Sequence, residues 1–422
     1  MAKIKPFSAF LYNQELIPDL SKVVCPPYDI IGSKAQEYYH AQSPYNIVHL
    51  ILGKDIAGGN KYIRARQYLK QWMKDKIFIR DVKPAIYFYL QQYNIKGEKK
   101  TRLGFIALLS LDEKGSFIFP HEHTRIEPKE DRLKLLKAVK ANLSPIFVLF
   151  RDEKRIIRRI YEEYILAKPP FIEILDDEKT LHRLWRIEDP KYLNMIQNQI
   201  DDQSIFIADG HHPYEVALLY RDQMSKRFND SSSDSDYIMA YFTNVESKGL
   251  LILPIHRFVK EVALEPLELQ NRLKEYFDVE EIKDMVKFFF LMEKSGLRQP
   301  TLGLYKDKRF FLLRLRNIKV LDKIITDKPK EYRQLDVSIL NYIILKKLLD
   351  KDPEDKEKVI FSPDTEALIQ KVNNEKDTIA FFLNAVKVEQ ALAVAFKGER
   401  LPPKTTYFYP KVLSGLVINK FR

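Results

Sequence analysis

The strongest structural signal in this sequence is an apolar run that leads directly into a helical pattern through an Asp-Gly pair. Residues 204–208 (SIFIA) read as a buried strand, and the apolar spacing that begins at Tyr214 is typical of a helix. Gly210 allows a close backbone approach, and Pro213 suits the first position of a helix. The pattern predicts a strand over 204–208, a turn at Gly210 and a helix from Tyr214 to at least Tyr220.

A strand-to-helix turn of this kind presents backbone N–H groups at the helix start, which makes it an anion site by construction. Asp209, His211 and His212 add a carboxylate and two imidazoles to the turn. The alternative is a well-capped helix start that carries two surface histidines. The sequence leaves both interpretations open.

Composition limits the class of protein. The chain has 422 residues, 45% hydrophobic and 30% charged, which is typical of a globular protein of two or three domains. The only cysteine, Cys25, cannot form an internal disulfide or a cysteine-rich zinc site, so we expect a cytoplasmic protein. No apolar run is long enough to span a membrane or to direct export. The common glycine-rich phosphate motifs are absent as well.

The net charge of +12 makes an anionic ligand plausible, with phosphate the first candidate and a polynucleotide the second. Positive and negative residues are interleaved, as in segment 151–164, and no concentrated basic arm is present. The sequence therefore favours a small-molecule ligand over nucleic acid.

Alternating strand and helix patterns predict a mixed α+β fold, with a change of texture that suggests domains over 1–257 and 258–422. Asn94 to Lys100 is polar and contains a glycine, which predicts a hairpin between its flanking strands. The predicted strands of the first domain include 46–52, 84–93, 101–111, 146–150 and 171–175, and its predicted helices include 34–40, 62–75, 131–139, 152–167 and 190–200.

A second polar constellation follows an apolar strand at Pro120. Its His121-Glu122-His123 run makes Glu122 a candidate general base, with Arg132 downstream as a cationic partner. A divalent metal on the two histidines is the weaker alternative, because the third ligand expected of a zinc site is missing from this segment. A second alternative is a polar loop without catalytic function.

The C-terminal segment 401–411 combines prolines with Lys404, Thr405 and Lys411. A stiff backbone with ammonium and hydroxyl donors suits a phosphate clamp. The alternative is a proline-stiffened segment that packs its aromatic residues into the core. We expect Glu122, His211 and Lys404 to line one pocket, since each belongs to a polar segment that ends a strand or a stiff turn.

Several ordered segments together resemble the bacterial and archaeal domain-of-unknown-function-1015 family over essentially the whole chain. They are VVCPPYDII, NIVHLIL, HEHTRIEPKEDRLKLL, NLSPIF, LHRLW, IADGHH, LPIHR, LDVSILN and GERLPPKTTYFYPKVLSGLVI. The Asp-Gly-His-His element is similar to that of the ParB/sulfiredoxin-like fold, which includes archaeal ADP-dependent kinases of free serine.

This resemblance implies a ParB/sulfiredoxin-like nucleotide-binding core elaborated by insertions, followed by a C-terminal α+β domain. It also implies that residues of this turn bind nucleotide phosphates. The usual form of the element is Asp-Gly-His-His-Arg, and Pro213 replaces the arginine here. That change removes a bidentate phosphate donor, so Arg132, Arg257 or Lys404 must compensate or the phosphate chemistry must differ.

The function expected from these features is a phosphotransferase acting on a small hydroxylated metabolite, with serine or phosphoserine implied by the resemblance and with ADP or ATP and Mg²⁺ as cofactors. The candidate catalytic residues are Glu122, Asp209 and His211. The candidate residues for nucleotide and phosphate are Gly210, His212, Arg132, Lys404, Thr405 and Lys411.

Two other functions remain open from sequence. One is phosphoserine phosphatase chemistry, with water in place of the acceptor hydroxyl. The other is a nucleotide-sensing, DNA-associated module without catalysis. The direction of transfer, the metal ligands and the oligomeric state are not predicted.

Overall fold

The computed structural model describes residues 2–111, 117–122, 126–201, 203–228 and 234–421. The chain divides into two compact units. Unit 1 comprises Met1–Pro120, Thr124–Leu251 and Pro410–Arg422, and unit 2 comprises His121–His123 and Ile252–Tyr409. The chain passes from unit 1 to unit 2 between Leu251 and Ile252, and its last residues belong to unit 1.

Unit 1 is built on a nine-stranded mixed sheet, so the predicted mixed α+β class is confirmed. Most neighbouring strands are antiparallel, and Ile146–Phe150 pairs in parallel with Tyr237–Asn244. Ile4–Lys5 pairs with Glu98–Ser110 outside the main order. From one edge to the other, the main order is Ile118–Pro120, Ile205–Asp209, Ile146–Phe150, Tyr237–Asn244, Glu98–Ser110, Ile86–Ile95, Leu181–Ile187 and Ile172–Leu175.

The predicted hairpin is confirmed, and its turn is tighter than the sequence suggested. Ile95 pairs with Glu98, so only Lys96 and Gly97 form the loop. Both have positive φ, at 50° and 78°. A two-residue turn with two positive φ angles matches the right-handed twist of the strands, which explains the glycine at its second position.

Helices flank this sheet, and the predicted ones near 34–40, 62–75, 131–139 and 190–200 are confirmed. The predicted helix 152–167 is shorter, with an α-helix at Ile156–Ile160 that continues as a π-helical turn over Tyr161–Ile165. The remaining α-helices of unit 1 are Ser33–Gln42, Val48–Ile51, Lys61–Lys74, Ile126–Val139, Pro190–Ile200 and His211–Phe228.

The predicted strand over 46–52 is wrong, because this segment contains the one-turn helix Val48–Ile51. The side-chain oxygen of Asn46 accepts the N–H of Val48, and its amide donates to the carbonyl of Lys22. A capping side chain of this kind favours a helical turn over an extended backbone. Most apolar side chains of the run, from Ile47 to Ile51, are still buried, so burial alone did not distinguish strand from helix.

Unit 2 contains a six-stranded antiparallel sheet whose order is Phe277–Ile282, Arg309–Leu315, Thr301–Lys306, Ile379–Phe382, His256–Val259 and Val359–Ser362. Thr301–Lys306 and Arg309–Leu315 form a hairpin, and the α-helical turn at Asp336–Ile339 continues as the π-helical segment Leu340–Leu348. The α-helices are Pro266–Leu273, Met285–Gly296, Val320–Ile324, Lys330–Arg333, Asp336–Ile339, Thr365–Asn374 and Val388–Phe396.

Among the described residues, none of the helices combines the length and the apolar character that crossing a bilayer requires.

Apolar side chains cover both faces of the unit 2 sheet. One buried cluster includes Leu302, Leu304 and Phe381, and a second includes Tyr305, Phe310 and Phe382. Alternate residues of the same strands thus serve different cores, as the period of a strand requires.

Candidate functional site

The strand Ile205–Asp209 ends at a turn that only glycine fits. Gly210 has a φ of 88°, and a Cβ at this position would lie 2.8 Å from Cγ2 of Ile146 and 3.1 Å from its Cα. Left-handed backbone and close approach both exclude other side chains. The predicted strand and turn are therefore confirmed, with the strand displaced by one residue.

The helix after the turn begins earlier than predicted, at His211 rather than at Tyr214. The N–H of Tyr214 already bonds to the carbonyl of Gly210, at 3.0 Å. Pro213 is thus the third helical residue rather than the first. Its missing N–H costs no helical hydrogen bond there, because the first turn has no intrahelical acceptors. His211 is buried, and His212 is half-buried.

Asp209 and Lys411 form an ion pair at this turn, although 202 residues separate them in the chain. The Lys411 Nζ lies 2.6 Å from Oδ2 of Asp209, and the Asp209 carboxylate also accepts the N–H of Gly210 at 2.8 Å. Burial would raise the pKa of Asp209, but the charge and hydrogen bond of Lys411, together with the charge of His211 and the N–H of Gly210, hold that pKa below its usual value. Asp209 therefore remains an anion at neutral pH.

The backbone that carries Lys411 is anchored by buried polar side chains. Gln91 donates to the Lys411 carbonyl at 2.8 Å, and the guanidinium of Arg102 donates to both Gln91 and the Pro410 carbonyl. Arg102 is fully buried, with the ring of Phe147 at 4.7 Å. A buried charge is kept only where hydrogen bonds satisfy it. This arrangement fixes the backbone from which the ammonium reaches Asp209.

Arg132 lies beside Tyr28, and its guanidinium is engaged within unit 1. It donates to the Asp131 carboxylate and to the Ile51 carbonyl, the latter at 2.6 Å, and lies 4.0 Å from the ring centre of Tyr28. Burial raises the pKa of Tyr28, and the charges of neighbouring carboxylates, Asp209 among them, raise it further. The predicted phosphate contact of Arg132 stays a prediction, and it requires the guanidinium to exchange one of these partners.

A second cluster lies within unit 2 and is held together by hydrogen bonds of the Lys404 backbone. The Lys404 N–H donates to Oε1 of Glu122 at 3.1 Å, and its carbonyl accepts from Arg257 at 3.0 Å. The Lys404 side chain is exposed. Thr405 is buried and donates its hydroxyl to the Pro402 carbonyl at 2.6 Å. These contacts shape the terminal loop, and the predicted ligand contacts of Lys404 and Thr405 stay predictions.

Arg257, one of the residues suggested to replace the missing arginine, is buried in unit 2. Its guanidinium also donates to the Ile255 carbonyl at 2.6 Å and lies 4.4 Å from the ring centre of Phe361. Burial lowers the pKa of Arg257 to about 9, against the opposing charge of Glu122. Its hydrogen bonds thus go to the protein backbone.

The predicted residues fall into these two clusters. Asp209, Gly210, His211, His212, Arg132 and Lys411 belong to unit 1, and Glu122, Lys404 and Thr405 belong to unit 2. That Glu122, His211 and Lys404 line one pocket stays a prediction. Within the described ranges, no three or more His, Cys, Asp or Glu residues are grouped so as to hold a metal ion. The His121-Glu122-His123 metal alternative rests partly on His123, which lies outside those ranges.

Sequence reasoning did not identify Gln91 and Arg102 as parts of the site. Both lie in the hairpin strands, where a polar residue normally indicates a solvent-facing side chain. Their complete burial was not visible from the local pattern. Tyr28 had a clearer signal, because it follows the Pro26-Pro27 pair within one of the segments that carry the family resemblance.

Comparison with solved structures finds several distant similarities. A mutant of a free serine kinase in complex with ADP has a TM-score of 0.36 and 12% identity, covering 72% of this chain and 87% of the other. A conserved hypothetical protein from Pyrococcus furiosus has a TM-score of 0.34 and 13% identity, covering 73% and 92%. C-terminally truncated SbnI from Staphylococcus aureus has a TM-score of 0.35 and 11% identity, covering 74% and 86%. Scores this low carry no argument about activity.

No curated protein matches the sequence. A sequence model of one family does match, over residues 4–338, and its description is "Protein of unknown function (DUF1015)". The match includes the Pro26-Pro27-Tyr28 turn, the Asp209-Gly210 turn and the whole sheet of unit 1. The predicted resemblance is confirmed, and the chain belongs to the DUF1015 family.

Proposed function

We propose that the turn at Asp209 and Gly210 is the phosphoryl-transfer site of a phosphotransferase that acts on a small hydroxylated metabolite. The observation that carries this proposal is the Asp209–Lys411 ion pair, which places one ammonium and one ionised carboxylate in front of the helix His211–Phe228. Phosphoryl transfer requires mainly positioning and neutralisation of charge, and these groups supply both.

In this proposal Lys411 and the start of the helix interact with the transferred phosphoryl group. A helix N-terminus and a lysine both favour negative charge, and the helix carries no acidic residue in its first turn. His211 and His212 flank the same group. The backbone anchoring by Gln91 and Arg102 keeps the ammonium in place, so little reorganisation is needed when charge develops.

Asp209 orients the acceptor hydroxyl. The hydroxyl oxygen forms a bond to phosphorus while the bond from phosphorus to the bridging oxygen of the donor breaks, and the donor leaves as the nucleotide one phosphate shorter. The hydroxyl proton is accepted by the Asp209 carboxylate or by solvent. Because the pKa of Asp209 lies below its usual value, this carboxylate is a weak base, and its main contribution is to position the hydroxyl. Glu122 remains the alternative base.

The proposed cofactors are ADP or ATP and Mg²⁺. A magnesium ion usually takes one or two protein carboxylates together with substrate phosphates and water. Asp209 provides one such carboxylate at the turn, so the residues present are compatible with an ion that arrives with the nucleotide. Serine or phosphoserine is the substrate suggested by the family resemblance.

The test is to incubate the purified protein with Mg²⁺, with serine or phosphoserine, and with ADP or ATP, and to follow the phosphorus species by NMR. We expect nucleotide-dependent transfer, which falls about 100- to 1,000-fold in Lys411→Met. Lys70→Met, on the exposed side of the helix Lys61–Lys74, is the matched control and should retain full activity.

Two outcomes would replace the proposal. Release of phosphate from phosphoserine without nucleotide would assign phosphatase chemistry. Absence of turnover in every combination, together with tight DNA binding, would favour the nucleotide-sensing module.

A further inference from the structure

Unit 1 contains a cavity of about 310 Å³ that shares no residue with the Asp209 turn. It lies between the helices Ser33–Gln42 and Lys61–Lys74 and is lined in part by the segment that follows Val48–Ile51. Its volume is at the lower end of the roughly 300–1,000 Å³ that is usual for small-ligand sites. The polar groups that line it therefore decide which ligand it suits.

Two cationic side chains line the cavity, Lys54 and Arg64. Arg64 donates to the Lys54 carbonyl, and the Lys54 ammonium pairs with the Glu37 carboxylate. The Arg64 guanidinium passes so close to Gly59 that a Cβ there would lie 2.6 Å from its Nη1. The lining thus carries two positive charges and one negative charge, and the backbone around Arg64 is shaped to receive a guanidinium.

Aromatic and apolar groups also line the cavity. His40 and His49 meet edge to face at 4.3 Å, and the ring of Tyr68 lies 5.8 Å from that of His49. Tyr68 is 41% exposed and Ile56 is 57% exposed, although both line the cavity. Apolar surface that faces a concave site can be buried by a planar ligand.

The two imidazoles are neutral at neutral pH. Nε2 of His40 lies 3.0 Å from the Leu52 carbonyl, and Nε2 of His49 lies 3.1 Å from the Ser43 carbonyl, so each Nε2 carries the hydrogen. Burial lowers the pKa of both rings. They therefore present aromatic surface, and the positive charge of the cavity comes from Lys54 and Arg64.

We propose that this cavity binds a phosphate monoester that carries a planar ring. The phosphate is held by Lys54 and Arg64, the ring packs against His49 and Tyr68, and the Glu37 carboxylate accepts hydroxyl hydrogens between them. A nucleoside monophosphate has this chemistry and a compatible size. The site is independent of the proposed phosphotransferase activity, because none of its lining residues belongs to the Asp209 turn.

The test uses AMP, adenosine and ribose 5-phosphate as probes. Calorimetry measures their affinity, and the imidazole NMR resonances of His40 and His49 show whether they bind in this cavity. We expect AMP to shift both resonances. We also expect adenosine and ribose 5-phosphate to bind at least tenfold more weakly, since each lacks one half of the ligand. Lys54→Gln should weaken AMP binding about ten- to hundredfold, as expected for one lost charge-assisted contact.

Arg66→Gln is the matched control, since Arg66 is exposed on the same helix and does not line the cavity. Tyr68→Leu tests the ring contact separately and should lower AMP affinity without changing that of ribose 5-phosphate. The proposal is overturned if AMP leaves the two imidazole resonances unchanged, or if Lys54→Gln and Arg66→Gln bind AMP equally well. AMP binding that is lost in Lys411→Met but kept in Lys54→Gln would place the nucleotide at the Asp209 turn instead.

Discussion

Each unit holds an aspartate beside the start of a helix, and the two carboxylates behave in opposite ways. Asp209 of unit 1 pairs with the Lys411 ammonium, the main group that holds its pKa below the usual value despite burial. Asp336 of unit 2 accepts only amide hydrogens from Asn384, at 3.2 and 3.0 Å, in the hydrogen bonds described for it. Burial raises the pKa of Asp336 to about 6.

The difference shows how far amide hydrogen bonds can lower the pKa of a buried carboxylate. Hydrogen bonds from Asn384 lower the pKa of Asp336, but they do not compensate for the loss of water. At Asp209 the loss of water is compensated mainly by the Lys411 ammonium, with help from the charge of His211 and the N–H of Gly210. Unit 1 thus keeps a permanent negative charge next to a positive one at the turn where the proposed chemistry takes place, whereas the charge of Asp336 is readily lost.

Among the variants that test this comparison, Gly210→Ala should have the largest effect on stability, because it disturbs the backbone that carries Asp209. The new Cβ would meet Ile146 at 2.8 Å with the backbone at a φ of 88°. Strain and overpacking together should lower the free energy of unfolding by about 2–4 kcal/mol. Denaturant unfolding measures the loss.

Gly97→Ala separates the two causes. Gly97 has a similar φ of 78°, but no atom lies within 4 Å of the position of its Cβ. It should therefore cost only the conformational strain, about 1 kcal/mol. Equal losses in the two variants would show that close approach to Ile146 does not constrain the turn.

Lys411→Met tests whether one ammonium makes the difference between the two aspartates. Loss of this contact at a mostly buried pair should destabilise the protein by about 1–3 kcal/mol at pH 7. The pKa of Asp209 should then rise, as that of Asp336 does. Carbon-detected NMR titration of the Asp209 carboxyl in the wild type and in Lys411→Met measures this shift. An unchanged pKa would assign the stabilisation of the anion to His211 and the Gly210 N–H instead.

The sign of the pH dependence follows from the direction of each shift. In the wild type, the contribution of Asp209 is present above the unfolded pKa of about 3.9 and is lost as the pH falls through the lower folded value. Asp209→Asn should therefore reduce the loss of stability below about pH 4.

Asp336→Asn should have a smaller and opposite effect. Because the folded pKa of Asp336 is about 6 and the unfolded value is lower, its stabilising contribution is present in acid and is lost as the pH rises through about 6. The variant removes this dependence and should gain about 1–2 kcal/mol at pH 7 relative to the wild type. Unfolding midpoints at pH 4 and pH 7 decide the point, and parallel curves for the two proteins would mean that Asp336 is solvated.

Much of the fold could be predicted from local patterns, and the missed parts depend on distant partners. A polar segment with a glycine predicted the hairpin, and an apolar run followed by Asp-Gly and a helical pattern predicted the turn at Gly210. The strand predicted over 46–52 was wrong, because the conformation of this segment depends on hydrogen bonds of the Asn46 side chain with Lys22 and Val48. An apolar run is equally compatible with a buried strand and a buried helix.

The site shows the same limit. Asp209 and Lys411 were each candidates from their residue types, but nothing local indicated that they pair with each other. The support by Gln91 was equally hidden, because it joins residues 320 positions apart. Contacts across such separations are set by the packing of the whole sheet, which a single sequence does not display.

The smallest effect is expected from Lys404→Ala, which removes an exposed ammonium and keeps the contacts of the Lys404 backbone with Glu122 and Arg257. The free energy of unfolding should change by less than about 0.5 kcal/mol, as for most surface substitutions. If the ammonium acts as the proposed phosphate clamp, nucleotide affinity should fall about tenfold, which corresponds to ~1.4 kcal/mol.

Calorimetry on Lys404→Ala, Lys411→Met and Pro213→Arg compares the three ways of changing charge around the phosphate. Pro213→Arg restores the arginine that the family resemblance implies, and it should strengthen nucleotide binding with a small loss of stability, because proline in the first helical turn restricts the unfolded chain. Unchanged affinity in Lys404→Ala, beside a clear loss in Lys411→Met, would limit Lys404 to shaping the terminal loop through its backbone.

The backbone of Lys404 has a φ of 56°, in the left-handed region that favours glycine. If the side chain binds no ligand, Lys404→Gly should therefore be slightly stabilising, by up to about 1 kcal/mol.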